Sequence, residues 1–287
     1  MIHPNMTSGP HGRGAGLLAI VVAIVVIAVT LLTTRTQAQP LTTVTRDWGA
    51  VVSTPAVSKV FLPQVRRQVT PMPTPTPTPL IELVGQIGGF IRAVEVQEGY
   101  AYVGVGPRLL ILNVSNPSHP VLVGQSPVLP TFVESVRVVG DFAYVTKGYG
   151  GLQIIDVSNP ANPTLRGAYD TPGSARGISV VGSLAYVADG YYSGLQIIDV
   201  SNPANPTWRG AYDTPGPAYN VSVVGGLAYV ADGYNSGLQI IDVSNPANPT
   251  WRGAYDTSGH AYGVSVVGRL IYVADWEDGL LILRWNG

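Results

Sequence analysis

Gly151–Thr164 reads GLQIIDVSNPANPT, and the same fourteen residues recur unchanged at Gly194–Thr207 and Gly237–Thr250. Catalytic sites are asymmetric and rarely need three copies of anything. Repetition at this fidelity marks an architectural unit, and its period decides the fold. The aspartates of the motif, Asp156, Asp199 and Asp242, lie 43 residues apart. One step back reaches Asn113 in LLILNVSNPSHP, a degraded copy. One step forward reaches LLILRW at Leu280–Trp285. The tyrosines of five Tyr-Val dipeptides, Tyr102, Tyr144, Tyr186, Tyr229 and Tyr272, follow at spacings of 42 or 43. A period of this length is typical of propellers or helical arrays.

Residues 177–212 decide between the two. They read as four short β-branched or aromatic runs: GISVVG, SLAYVADG, SGLQIIDVS and PTWRGAY. Each is bounded by Gly, Pro, Asn or Asp, as hairpin strands are, and none has a helical period. Four antiparallel strands per repeat make one propeller blade, so the expected fold class is all-β, a five-bladed β-propeller. In the repeated stretch, Leu152 and Ile154 alternate with Gln153 and Ile155, the pattern of a strand buried between neighbouring blades. Asp156 and Ser158 suit an Asx or Ser/Thr turn, and Asn159–Pro163 stiffens the hairpin with two prolines. The fifth repeat supplies three strands, Tyr262–Val267, Leu270–Ala274 and Leu280–Trp285, and lacks the fourth. The segment Leu83–Ile87, LVGQI, matches the fourth strand LVGQS at Leu122–Ser126. It is expected to complete the last blade and close the ring, which removes open edges.

Leu152-Gln153-Ile154-Ile155-Asp156 followed by Val-Ser-Asn-Pro resembles the repeat of the LVIVD family of bacterial and archaeal surface proteins. The resemblance covers residues 81–287 and is strongest in repeats two to four. Asn113 replaces the aspartate in repeat one and Arg284 replaces it in repeat five. The resemblance implies an extracytoplasmic β-propeller and implies little about activity. No Trp-Asp or Gly-His dipeptide recurs at blade period, which argues against a WD-type propeller.

Composition agrees with many short strands and tight turns. The 287 residues are 46% hydrophobic and 11% charged, with 34 Gly and 24 Pro; about 25% charged is usual. There is no cysteine, so disulfides and thiolate metal sites are excluded. Residues 1–80 carry +5 and residues 81–287 carry −6. A mildly acidic globular part argues against nucleic acid as a partner. Gly16–Leu32 is an uncharged apolar run, between a signal-peptide core and a minimal membrane span in length. Residues 1–38 are therefore read as a signal peptide, cleaved after Ala38, or an N-terminal hydrophobic helix anchored in the membrane. Both readings put the rest outside the cytoplasmic membrane, secreted or at the cell surface. Residues 39–80 read as a Thr/Pro-rich stalk, with PMPTPTPTP at Pro71–Pro79 as a polyproline-like spacer. Residues 81–287 form the propeller.

Loops of a propeller alternate between two faces. The second-to-third loops, GVGPR, TKGYGG, ADGYYSG, ADGYNSG and ADWEDG, differ in length and sequence, whereas the SNPANP turns opposite repeat. Variable loops on a rigid scaffold commonly carry recognition. The candidate ligand-binding residues there are Tyr191, Tyr192, Tyr234 and Trp276, whose rings and polar tips suit sugar or protein contacts. The alternative is that these rings merely cap the blades. Alignment on the Tyr-Val tyrosines also stacks Arg92, Glu134, Arg176, Tyr219 and Tyr262 at the start of the innermost strands, as a ring at the channel mouth. The competing reading makes Arg92, Glu134 and Arg176 a structural ion-pair cluster. Asp189, Asp232 and Asp275 are one per blade, which fits turn residues better than clustered calcium ligands. No cofactor, metal site or catalytic constellation is read. The expected function is a non-catalytic binding or scaffolding module for a surface protein or glycan. The alternatives are a glycan-active enzyme of five-bladed propeller type and a purely structural repeat domain. Glycoside hydrolysis needs two facing carboxylates, and the inner strands supply only Glu95 and Glu134.

Overall fold

The computed structural model describes residues 83–287 apart from Gly85, Ile87, Gly89, Tyr192 and Asn235. The leader or anchor at 1–38, with its apolar run 16–32, and the stalk at 39–80 lie outside the described residues. Within them, no helix is long and apolar enough to cross a membrane. Among the described residues, twenty strands form five four-stranded sheets. Blade one comprises β1 (Ile91–Gln97), β2 (Tyr100–Val105), β3 (Arg108–Asn113) and β4 (Val121–Gln125). Blade two comprises β5 (Ser135–Val139), β6 (Phe142–Thr146), β7 (Leu152–Asp156) and β8 (Thr164–Tyr169). Blade three comprises β9 (Ile178–Val181), β10 (Leu184–Ala188), β11 (Leu195–Asp199) and β12 (Thr207–Tyr212). Blade four comprises β13 (Asn220–Val224), β14 (Leu227–Ala231), β16 (Leu238–Asp242) and β17 (Thr250–Tyr255), with β15 (Gly233–Tyr234) in its second-to-third loop. Blade five comprises β18 (His260–Val267), β19 (Leu270–Asp275) and β20 (Gly279–Arg284). All pairings are antiparallel and, apart from that of β15 with β18, join consecutive strands of one blade.

The repeated motif now has a physical reading. Leu152, Ile154 and Ile155 have no exposed surface, because both faces of a central strand are covered by adjacent blades. Four apolar clusters join blades one to two, two to three, three to four and four to five. Asp156 accepts from the Ser158 amide at 3.1 Å and hydroxyl at 2.6 Å, and Asp242 does the same for Ser244. Asn113 accepts from the Ser115 amide at 2.9 Å, so the degraded copy keeps the turn. The Pro-Ala pair of each turn then presses on the preceding blade. A Cβ on Gly124, Gly167 or Gly210 would lie 2.1–2.2 Å from the carbonyl oxygen of Pro160, Pro203 or Pro246 of the next blade. The outer strand therefore needs glycine there, and a bulge beside it bends the strand around the turn.

The closing strand is a correction. Of Leu83–Ile87, the residues Leu83, Val84 and Gln86 are described, and none lies in a strand; Gly85 and Ile87 lie outside the described residues. Among the described residues, strand β20 pairs with β19 alone. The fourth member of the last sheet is instead β15, added on the inner side. The reason lies in the packing. Inner strands pack β1 on β5, β5 on β9, β9 on β13 and β13 on β18, and β18 has no comparable packing on β1. A segment joined to β1 is therefore not delivered to the edge of blade five.

Candidate functional site

The loop face rests on one backbone device repeated at blade junctions. The residue that leads into an inner strand donates its amide to the second strand of the same blade. Glu134 donates to Thr146 O, Arg176 to Ala188 O and Tyr219 to Ala231 O, each at 2.8 Å. Arg92 in β1 and Tyr262 in β18 hold the matching places. The second-to-third loop of each middle blade also bridges the segment entering the next blade, at Gly148–Ala175 and Gly190–Ala218. At the last junction this bridge lengthens into the β15–β18 pair, with Tyr234 opposite His260.

This register brings most of the expected residues together, in two groups. Arg92 forms an ion pair with Glu134, and its guanidinium lies 5.4 Å from the Phe90 ring centre. Arg176 is not part of that ion pair. Its guanidinium sits 5.0 Å over the Tyr219 ring. From there an aromatic strip continues across blades four and five. Tyr219 and Tyr262 rings lie 4.6 Å apart, Tyr262 meets Trp276 edge-on at 5.8 Å, and the Tyr191 and Tyr219 hydroxyls are 3.4 Å apart. Tyr191, Tyr234 and Trp276 remain more than half exposed. An open cleft of about 680 Å³ adjoins the strip, lined by Tyr191, Thr214, Pro215, Pro217, Tyr234 and Ser236 among others. Tyr192 lies outside the described residues.

His260 is the residue that sequence reasoning passed over. It stacks on Tyr234 at 4.7 Å, lies 5.8 Å from Trp276, and bonds Glu277 through Nδ1 at 3.0 Å. That bond holds the Glu277 carboxyl below its usual range. Its signal was the i, i+2 relation to Tyr262, which puts both rings on one side of an extended strand. Strand β18 indeed begins at His260 rather than at Tyr262. The Tyr219 hydroxyl is pushed well above the usual tyrosine range, chiefly by burial and then by its bond to Tyr191, so it stays neutral.

The loop aspartates do more than turn the chain. Asp189 and Asp232 have no exposed surface. Asp189 accepts from the Thr171 hydroxyl at 2.5 Å and the Gly173 amide at 2.7 Å, both in the loop between blades two and three. Asp232 accepts from Thr214 and from the Gly216 amide at 2.8 Å in the same way. Each carboxylate thus staples its blade to the preceding one and shapes the floor of the loop face. Burial raises both carboxyls, and Asp232 is pushed up to about 6. Lys147 takes this position in blade two; burial lowers its pKa, and its Nζ bonds the Gly150 carbonyl. No group of three or more metal-ligating side chains is gathered among the described residues.

Five blades of antiparallel strands, with variable loops gathered on one face, define a repeat β-propeller. The LVIVD-repeat profile matches residues 88–126, 132–171, 172–214, 215–257 and 258–283, one match per blade, and the chain belongs to the LVIVD-repeat family. No curated protein sequence matches it. Among solved structures it is similar to a functionally unknown protein from Desulfotomaculum acetoxidans DSM 771, at TM-score 0.59 and 18% identity, over 70% of this chain and 67% of that one. It is also similar to the computationally designed Ika8 protein, at TM-score 0.55 and 4% identity, over 68% of this chain. The match spans 58% of the Ika8 chain. At these identities the likeness concerns the fold alone.

Proposed function

We propose that the chain is a non-catalytic recognition module that holds a glycan or protein ligand on its aromatic loop face, outside the cytoplasmic membrane. The observation that carries this is the continuous strip Arg176–Tyr219–Tyr262–Trp276–His260–Tyr234 beside an open cleft. Exposed rings with polar tips present flat apolar faces and fixed donors together, which suits sugar rings and extended peptides. The rings come from loops and strands of adjacent blades locked by buried aspartates, so little side-chain freedom is lost on binding. The glycan-active enzyme is the weaker reading. Glu95 and Glu134 are each engaged by an arginine, Arg137 at 3.0 Å and Arg92, rather than aimed at a shared cleft. The uncharged run 16–32 and the Thr-Pro spacer support a tethered or secreted module.

The test is a binding screen of the full chain against glycan arrays and surface proteins. With a ligand in hand, Tyr234→Ala and Trp276→Ala are expected to weaken binding at least about tenfold each, as central aromatic anchors do. Asn205→Ala, on the opposite face, is expected to leave affinity unchanged. Loss in the asparagine variant with retention in the aromatic variants would place the site on the wrong face.

A further inference from the structure

Blade five presents an edge that no other blade has. Among the described residues, strands β3, β7, β11 and β16 are each paired on both sides, whereas their counterpart β20 is paired on one. Leu280 and Ile282 of β20 are 55% and 57% exposed; their counterparts in blade one, Leu109 and Ile111, are not exposed at all. A six-residue apolar edge strand without proline, and without charge before Arg284, is a template for strand addition. The chain also carries a segment of matching sequence. In blade one the run LLIL at 109–112 pairs with LVGQ at 122–125 through Leu110–Gln125, Ile111–Gly124 and Leu112–Leu122. LLIL recurs at 280–283, on the open edge, and LVGQ recurs at 83–86. Leu83 and Val84 lie outside any strand and are 76% and 52% exposed.

We propose that the open edge of β20 is filled by Leu83–Ile87 of a second copy of this chain. The blade-one register carries over to Leu281–Gln86, Ile282–Gly85 and Leu283–Leu83. The exchange covers two exposed apolar segments at once and gives β20 the second ladder its counterparts have. A second copy is the occupant because β18 has no substantial packing on β1, so the chain's own segment is not brought to its own edge. The contact is heterologous, each copy offering a strand and an edge, so it closes into a ring or extends as a filament.

The chain has no cysteine, so single thiols report the contact directly. Full-length Leu83→Cys and Leu283→Cys chains, purified in detergent, are mixed and treated with a short bismaleimide. Linked heterodimer is expected, and neither variant alone should give comparable product. A Val139→Cys chain, exposed on blade two, should not link to either. In the double variant Leu83→Cys/Leu283→Cys, linked dimers and larger species are expected. Linkage confined within single chains at all concentrations would show that the ring closes on itself and would overturn the proposal. Absence of linkage in the mixture would overturn it too. Ile282→Lys on the same exposed edge, with its thermal midpoint measured to confirm folding, should reduce the concentration-dependent rise in sedimentation mass. An unchanged mass distribution would count against the edge as the contact.

Discussion

Asp232 is a carboxylic acid with no exposed surface, and its two oxygens are spent on Thr214 and Gly216 of the preceding blade. Burial outweighs those bonds and carries its pKa from 3.8 to about 6. The folded state therefore binds a proton that the unfolded chain releases between these values. Stability from this group is full below about pH 4 and is lost as pH rises through about 6. The difference corresponds to about 2–3 kcal/mol at one buried site. Thermal unfolding is expected at a higher midpoint at pH 5 than at pH 7.5, and Asp232→Asn should flatten that slope. A parent midpoint that falls on acidification over this range, with an unchanged slope in Asp232→Asn, would contradict the assignment. From sequence, Asp232 reads as an Asp-Gly turn residue. Its partners lie in the loop of the preceding blade, 16 and 18 positions away, and spacing alone gives no sign that the two loops meet.

At the scale of the element, the pair β15–β18 decides the site. Two residues, Gly233 and Tyr234, leave blade four to join blade five, and this turns a loop tyrosine into a fixed ring stacked on His260. Gly233 has φ +63°, and a Cβ there would lie 2.7 Å from both the Tyr219 ring and Pro217. Gly233→Ala is expected to push Tyr219 aside, change the near-ultraviolet aromatic signal and weaken ligand binding about tenfold, with the far-ultraviolet spectrum retained. An unaltered aromatic signal would show that the strip tolerates the shift and that β15 does not position it. The tyrosines and Trp276 were legible as a loop cluster because they recur at one place in the repeat. Their continuity with His260 was not, since it depends on an inter-blade pairing made by only two residues.

For the whole molecule, stability follows the line of blades. Each blade packs on its neighbours through an apolar cluster, and the described residues form four such junctions for five blades. In an array of this kind, stability is a sum of unit and nearest-neighbour terms, and units with one neighbour open first. Hydrogen exchange is therefore expected to be slowest in β10 and β11 of blade three and fastest in β20, at dilution. If uniform protection were measured across all five blades of the monomer, the open junction would be wrong. Protection of β20 that grows with protein concentration is the companion result of strand exchange between copies.

The sequence by itself determined the unit and its number: a period of 42–43 residues, four strands in each of the first four repeats, and turns built by Asp156, Asn159 and their equivalents. These are local properties, set by alternation, β-branching and turn chemistry, and a repeat states them several times over. Tertiary structure alone decided how the blades are joined. It placed Arg176 on Tyr219 rather than on Glu134, buried the loop aspartates between blades, and left β20 open where the matching LVGQ segment suggested closure. Those outcomes depend on the angle at which successive sheets pack, and on whether the first and last meet. That angle accumulates over four interfaces, so no single stretch of the chain encodes it.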